Sequence, residues 1–320
     1  MLAGRFDSRI AAGLLLAVAL WGANNTGVKF LVAAWPPLWV GSTRFLCAGL
    51  LLWGLQRWTR LLGHSPQLQP AVQKQFWFRG GLTLAAYIAA FNWAVQLTAV
   101  SHVALYLGAA PIWALLWEGK AGLAGAALAR RWAAGGLAVA GVAVLFWPAV
   151  RDSKGQWLGE VLGLGCSVLW TLYGRRCRAL GTNLPAPVVT AQTMWRAGVW
   201  LGPLALMEAG LHGVRWDAWR AAIQLYCIVG GGVVAFGLWN RALRYWPTSR
   251  VYLFNNLVPA STMLWARWTL GEPVSPTFWP ALGLIALGVV WAQVGQTTAS
   301  GVQPAHANLA EQDRTAKQQG

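Results

Sequence analysis

Charge is what this sequence has least of. Only 11% of its 320 residues are charged, against roughly 25% in ordinary soluble domains. Stretches 10–23, 82–97, 137–150 and 278–294 contain no charged residue at all. A run of about 17–25 mainly apolar residues is long enough to cross a hydrocarbon core as a helix. One or two such runs fit the core of a large soluble protein, but ten of them in one chain of this length do not. Acidic residues are scarcest, with nine in the chain, and none falls in the middle of an apolar run; Glu118, Glu160 and Glu208 all lie near run ends. A carboxylate that alternately binds a proton and a cationic drug is the usual device of cation antiport. Its absence from the first run argues against a cationic multidrug antiporter and favours a facilitative carrier.

Cysteine is also sparse. Cys47, Cys166, Cys177 and Cys227 are dispersed through apolar segments with no CxxC spacing, which leaves neither a disulfide frame nor a thiolate metal site and reads as small core residues. No Ser/His/Asp constellation, metal-ligand cluster or phosphate-binding loop is present. No enzyme activity, cofactor or metal is therefore expected. The net charge of +16 could point to nucleic acid, but the basic residues form short clusters between apolar runs, as loops on the cytoplasmic side of a membrane do. The partners expected are a lipid bilayer and a small-molecule substrate. Nucleic acid is excluded, and nothing marks an obligate protein partner.

What the sequence does have is length of apolar run and tryptophan. The predicted spans are 10–31, 37–55, 77–97, 101–117, 132–149, 157–176, 187–207, 220–241, 248–268 and 276–295. The first begins after Arg5 and Arg9 but continues through Asn24, Asn25 and Lys29 without a small-residue cleavage site, so it reads as a retained helix rather than a signal peptide. Trp35, Trp53, Trp58, Trp77, Trp147 and Trp157, among 23 tryptophans, sit where spans should meet headgroups, as an aromatic belt does. With the amino terminus inside, the inner segments hold seventeen of the 25 basic residues. Both termini are therefore expected in the cytoplasm, with the protein integral to the plasma (inner) membrane. The polar tail 297–320 is expected to be disordered.

The chain also repeats itself. A shift of 148 lays 91–117 over 239–265 without gaps, with identities at Asn92/Asn240, Ala94/Ala242, Ser101/Ser249, Val103/Val251, Leu105/Leu253, Pro111/Pro259, Leu116/Leu264 and Trp117/Trp265. A shift of 149 pairs Leu20 and Trp21 with Leu169 and Trp170, and Arg44 and Arg196 hold similar places in spans 2 and 7. Five spans per copy is odd, so the second copy must enter the membrane with opposite polarity. The uncharged turn 98–101 answers to a segment carrying Arg241, Arg244 and Arg250, as inversion requires. The expected fold is an all-α membrane protein of ten transmembrane helices in two inverted five-helix repeats, 1–150 and 151–296. Repeats of this kind form transporters with a midplane substrate site at their interface.

Leu20-Trp21-Gly22-Ala23-Asn24-Asn25 with Lys29, the Pro36–Pro37 pair and Arg44-Phe45-Leu46-Cys47-Ala48 resemble the opening of an EamA-type member of the drug/metabolite transporter superfamily. Asn240-Arg241-Ala242-Leu243, followed by Ser249, Pro259 and Leu270-Gly271-Glu272-Pro273, is similar to the same family's second half. The resemblance covers about 10–295 and implies ten helices in two bundles and export of amino acids or related metabolites. The tryptophan-rich layout is also similar to the aromatic amino acid exporter branch. One departure is that Glu272 maps onto Ala124, so the first half lacks the Gly-Glu pair and no role passes to Glu118.

A transport cavity must replace a substrate's hydration, which in a membrane calls for polar side chains in mid-span. Trp21, Asn24 and Asn25 share one helical face, as do Tyr252, Asn255, Asn256 and Pro259. Trp170, Tyr173, Gln192 and Tyr87 complete the candidate substrate-binding set. Gln96 is a further mid-span amide, and His102 pairs with Tyr106 at i, i+4 as the one candidate for proton coupling. Lone amides commonly bond a neighbouring helix and lone aromatics anchor span ends, but two adjacent amides cannot both face one packed neighbour. Arg44 and Arg196 could attract a substrate carboxylate, yet capping of helix ends or bonding to carbonyls is the favoured reading, since no mid-span acid is available. Pro111 and Pro259 each remove a helix hydrogen bond and are candidate hinges. The function expected is export of aromatic or neutral amino acids by alternating access. The alternative is a lipid or lipid-linked-sugar translocating protein, or a non-transporting membrane scaffold.

Overall fold

The structure is a computed structural model that describes residues 8–59, 66–108, 110, 113, 117, 125–151, 157–180, 184–245, 254 and 257–294. Among the described residues all regular structure is helical, as it must be where lipid offers no partner to a free backbone group. The rods are α1 (Ser8–Val32), α2 (Pro37–Trp58), α3, α4 (Val100–Gly108), α5 (Gly125–Arg151), α6 (Trp157–Leu180), α7 (Ala186–His212), α8, α9 (Val258–Leu270) and α10 (Phe278–Val294). Rod α3 runs end to end through Pro70–Gln75, a π-helical turn Phe76–Gly81, and Leu82–Leu97. Rod α8 does the same through Ala218–Tyr226, Cys227–Val234 (π-helical) and Ala235–Tyr245. The junction residues keep right-handed helical angles, so each wide turn is an insertion within a rod, not a break.

Starts and stops follow local chemistry. Proline occupies the first turn of α2, α3, α7 and α9, where its missing N–H costs nothing and its fixed φ favours entry. Asp217 caps α8 by accepting the Arg220 N–H at 2.8 Å, which holds its carboxyl below the usual carboxylate range. Gly271 ends α9 at φ 64°, a left-handed conformation that only glycine adopts without strain.

Four helices are long and apolar enough to span a membrane on their own: Ser8–Val32, Pro37–Trp58, Leu128–Leu145 within α5, and Ala218–Trp239 within α8. Outward faces agree: Leu15 and Leu16 of α1, Leu50 and Leu51 of α2, and Leu204 and Leu206 of α7 are all exposed, an arrangement suited to hydrocarbon rather than water.

The broadest helix contacts are α2 with α7, then α5 with α10, α3 with α6, and α1 with α8 and α9. The α2–α7 contact is tight because glycine faces backbone on both sides. A Cβ on Gly198 would lie 2.6 Å from the Leu46 nitrogen, and one on Gly49 would collide with the Trp195 nitrogen. Small residues of this kind let membrane helices approach closely.

Charge is sorted along the rods. The four acids among the described residues, Glu160, Glu208, Asp217 and Glu272, sit at one end of the bundle. There Glu208 accepts the Leu38 N–H at 2.7 Å and Glu272 the Val100 N–H at 3.0 Å, so carboxylates meet the positive ends of α2 and α4. Lys29 donates to the Val95 and Thr98 carbonyls, 2.6 and 2.7 Å away, at the close of α3. At the opposite end Gln56 donates to the Pro187 carbonyl and Arg176 to Thr83, among Arg57, Arg79, Arg175 and Arg178.

Candidate functional site

A central cavity of about 1090 Å³, counting space that opens to solvent, lies between the rods. Its walls are aromatic on two sides. Trp21 of α1 meets Phe236 of α8 edge-on, with ring centres 5.2 Å apart, and Trp239 at 5.1 Å. Across from them Trp170 of α6 stacks at 5.1 Å on Tyr87 of α3 and at 5.5 Å on Tyr173. The offset of 149 that relates Trp21 to Trp170 also relates Tyr87 to Phe236, so the two walls are the same ring pair drawn from the two halves.

Few polar groups interrupt these walls. Asn25 donates to the Thr262 hydroxyl at 3.1 Å, and the Trp21 indole to the Gly231 carbonyl at 3.1 Å. Asn24 faces Gly231 so closely that a Cβ there would strike its amide. Tyr173 bonds Thr193 at 2.7 Å. Arg44 also lines the cavity. It is only 5% exposed, its guanidinium lies 4.7 Å above the Phe45 ring, and its Nε and Nη1 have no hydrogen-bond acceptor. Among the described residues, none that lines it is acidic. An apolar pocket with a handful of placed polar groups is the usual form of a small-molecule site.

The profile of the EamA-like transporter family matches residues 9–147 and, a second time, 157–293. The chain belongs to this family. It is therefore a membrane transporter and not an enzyme. Among curated EamA-like relatives it is 26% identical over 274 residues to an uncharacterized transporter of Archaeoglobus fulgidus, covering 84% of this chain and 91% of that one. It is 26% identical over 284 residues to the uncharacterized inner membrane transporter YedA of Escherichia coli K12, covering 87% and 88%. A solved structure described as "Crystal structure of protein" superposes with a TM-score of 0.56 at 20% identity, over 90% of this chain and 98% of that one, so the fold is shared.

In this EamA-family chain, the residues expected at the site fall into three groups. Trp21, Asn24, Asn25, Tyr87, Trp170 and Tyr173 come together on the cavity wall, and Pro259 joins them. Tyr252, Asn255, Asn256 and Pro111 lie outside the described residues. Gln192 and His102 are placed elsewhere. Gln192 lines a separate recess of about 1080 Å³ with Trp53, Arg57, Trp195 and Arg196, where its side-chain oxygen accepts from Arg196. His102 sits at the acidic end, 2.8 Å from the Glu160 carboxylate, which also accepts from Thr98 and, at 2.7 Å, from Tyr106. That network closes over the start of α4 and is not part of the cavity lining. Among the described residues no three metal-ligating side chains gather.

Two lining residues escaped the sequence reading, and a third was weighed differently. Phe236 and Trp239 looked like bulk apolar residues, although the offset from Tyr87 would have picked out the first. Arg44 was noticed but assigned to a helix end or to backbone carbonyls, and its Nε and Nη1 reach no such acceptor.

Proposed function

We propose that this chain carries small amphipathic metabolites, aromatic and neutral amino acids foremost, outward across the inner membrane by alternating access. The observation that carries the reading is the central cavity, whose two aromatic walls are one ring pair contributed twice. Substrate would lie with its ring against Trp21, Tyr87 or Trp170 and its polar end toward Asn24 and Asn25. The proposed frame is ten spans in two inverted repeats, 1–150 and 151–296, with both termini and the tail 297–320 in the cytoplasm.

Three things support that frame. The family profile matches twice, once in each half. The helix contacts exchange between halves: α3 with α6 is answered by α8 with α1, and α4 with α6 by α9 with α1, while α2–α7, α5–α10 and α4–α9 map onto themselves. Arginine clusters lie at the end opposite the acids, as the positive-inside rule asks of a cytoplasmic face. His102, in its Glu160 network, is a candidate for proton coupling, and the prolines at 111 and 259 are candidate hinges.

Uptake of labelled phenylalanine into proteoliposomes tests the function. Flux above that of empty liposomes, lost in a Trp21→Ala/Trp170→Ala variant that still melts cooperatively, is the expected result. Flux equal to that of empty liposomes would sink the reading.

A further inference from the structure

We propose that Arg44 is the anion receptor of the central cavity. The cargo must then present a carboxylate beside its aromatic or apolar body, and need not carry an amino group. This rests on the central cavity being the transport site.

The argument begins with what Arg44 lacks. A guanidinium is charged at any accessible pH, and a membrane protein that buries one ordinarily pairs it. Arg44 is buried, yet two of its nitrogens find no acceptor. No described acid reaches it. Glu160 is held by Thr98, His102 and Tyr106, Glu208 by the Leu38 N–H, Glu272 by the Val100 N–H, and Asp217 by Arg220. The Phe45 face offers a partial substitute through cation–π attraction, but a ring supplies no hydrogen-bond acceptor. What is missing is an oxygen anion, and the side chain lines the one space into which such a group could be brought.

The buried arginine of the other half, three residues out of register with it under the offset of 149, shows that the arrangement is particular to this site. Arg196 is as deeply buried, at 3% exposure, but its Nη1 donates to both the Gln192 backbone carbonyl at 3.0 Å and the Gln192 side chain. Rings of Trp195, Trp77 and Phe76 surround it. The fold answers a terminal nitrogen of Arg196 from within and leaves only its Nε without an acceptor, whereas at Arg44 both Nε and Nη1 are left without one. The cavity that Arg44 lines offers the faces of Tyr87, Trp170 and Trp21 but, among the described residues, no carboxylate. A carboxylate thus gains a full counter-charge, whereas an ammonium meets ring faces, the neutral amides of Asn24 and Asn25, and a like charge.

Titration of the purified protein, followed by isothermal calorimetry, decides the matter with three probes of one shape: 3-phenylpropionate, L-phenylalanine and phenethylamine. The expected order is binding of the first two and none of the third, and this comparison requires no variant to fold. Arg44→Gln should weaken the two carboxylates by roughly 30-fold or more, the usual consequence of deleting one member of a buried charge pair. Arg44→Lys should recover part of the loss, and melting temperatures show whether each variant is intact. Phenethylamine binding as tightly as 3-phenylpropionate, or an Arg44→Gln protein that binds both acids unchanged, overturns the assignment. If Trp21→Ala/Trp170→Ala weakens binding while Arg44→Gln does not, the cavity stands and the receptor falls. If no probe binds the wild type, both fall.

Discussion

Two arginines lie about one turn from matching places on α2 and α7, the pair of helices in broadest contact, and the fold treats them differently. Arg196 is enclosed by its own helix and three rings and donates to Gln192 one turn away. Arg44 borders the central cavity with Nε and Nη1 unanswered. A repeated residue is therefore not a repeated role. Where the chain supplies an acceptor at i−4 the charge is part of the architecture, and where it supplies none the charge is left for a guest. Removing a satisfied buried ion costs stability, while replacing an unsatisfied one with an apolar side chain is neutral or stabilising.

The largest expected contrast follows directly. Arg196→Met should lower the unfolding free energy by about 1.5–3 kcal/mol through its lost charge-assisted bonds, whereas Arg44→Met should leave the melting temperature unchanged or raise it. Thermal unfolding in one detergent measures both, and equal losses at the two positions would erase the distinction. Next comes the contact that packs α2 on α7. Gly49→Ala drives a methyl into the Trp195 backbone and should cost about 1–3 kcal/mol. Gly202→Ala, on the same pair of helices but facing open space, should shift stability by no more than about 0.5 kcal/mol. The smallest effect is a coupling. Gln192→Leu removes the side-chain acceptor from Arg196 while keeping the backbone carbonyl, and should destabilise the protein, but do little in an Arg196→Met background. A double-mutant coupling of at least about 0.5 kcal/mol is expected, and additivity would mean that Gln192 does not hold the arginine.

The sequence made the rods legible because lipid leaves a chain little choice: α1 was expected at 10–31 and runs Ser8–Val32, and the second span, expected at 37–55, runs Pro37–Trp58. The rods overshoot because helix continues past the hydrocarbon into the headgroup layer. Half of the cavity was legible for a similar reason, since Trp21, Asn24 and Asn25 are aromatic and polar where an apolar residue would be cheaper. What could not be read was direction around the axis. Trp239 and Trp195 look alike in sequence, yet one faces the cavity and the other a buried arginine. Spacing did hold one clue: Gln192 and Arg196 stand at i, i+4, enough to suggest that each is the other's partner. No spacing reveals that His102 and Glu160, 58 residues apart in the chain, share a hydrogen bond.

The wide turns of α3 and α8 carry a consequence of their own. Each holds slack that an α-spiral of the same rise would not need, and they occur at closely matching places, 76–81 and 227–234, in helices related by the repeat. Passing one residue of slack along such a rod rotates everything beyond it by about 100° and advances it by about 1.5 Å, with the ladder on either side intact. Tyr87 and Phe236 ride on the rods just past these turns. A shift of slack would swing one ring out of the chamber without bending a helix, so the pathway could open by winding rather than by hinging.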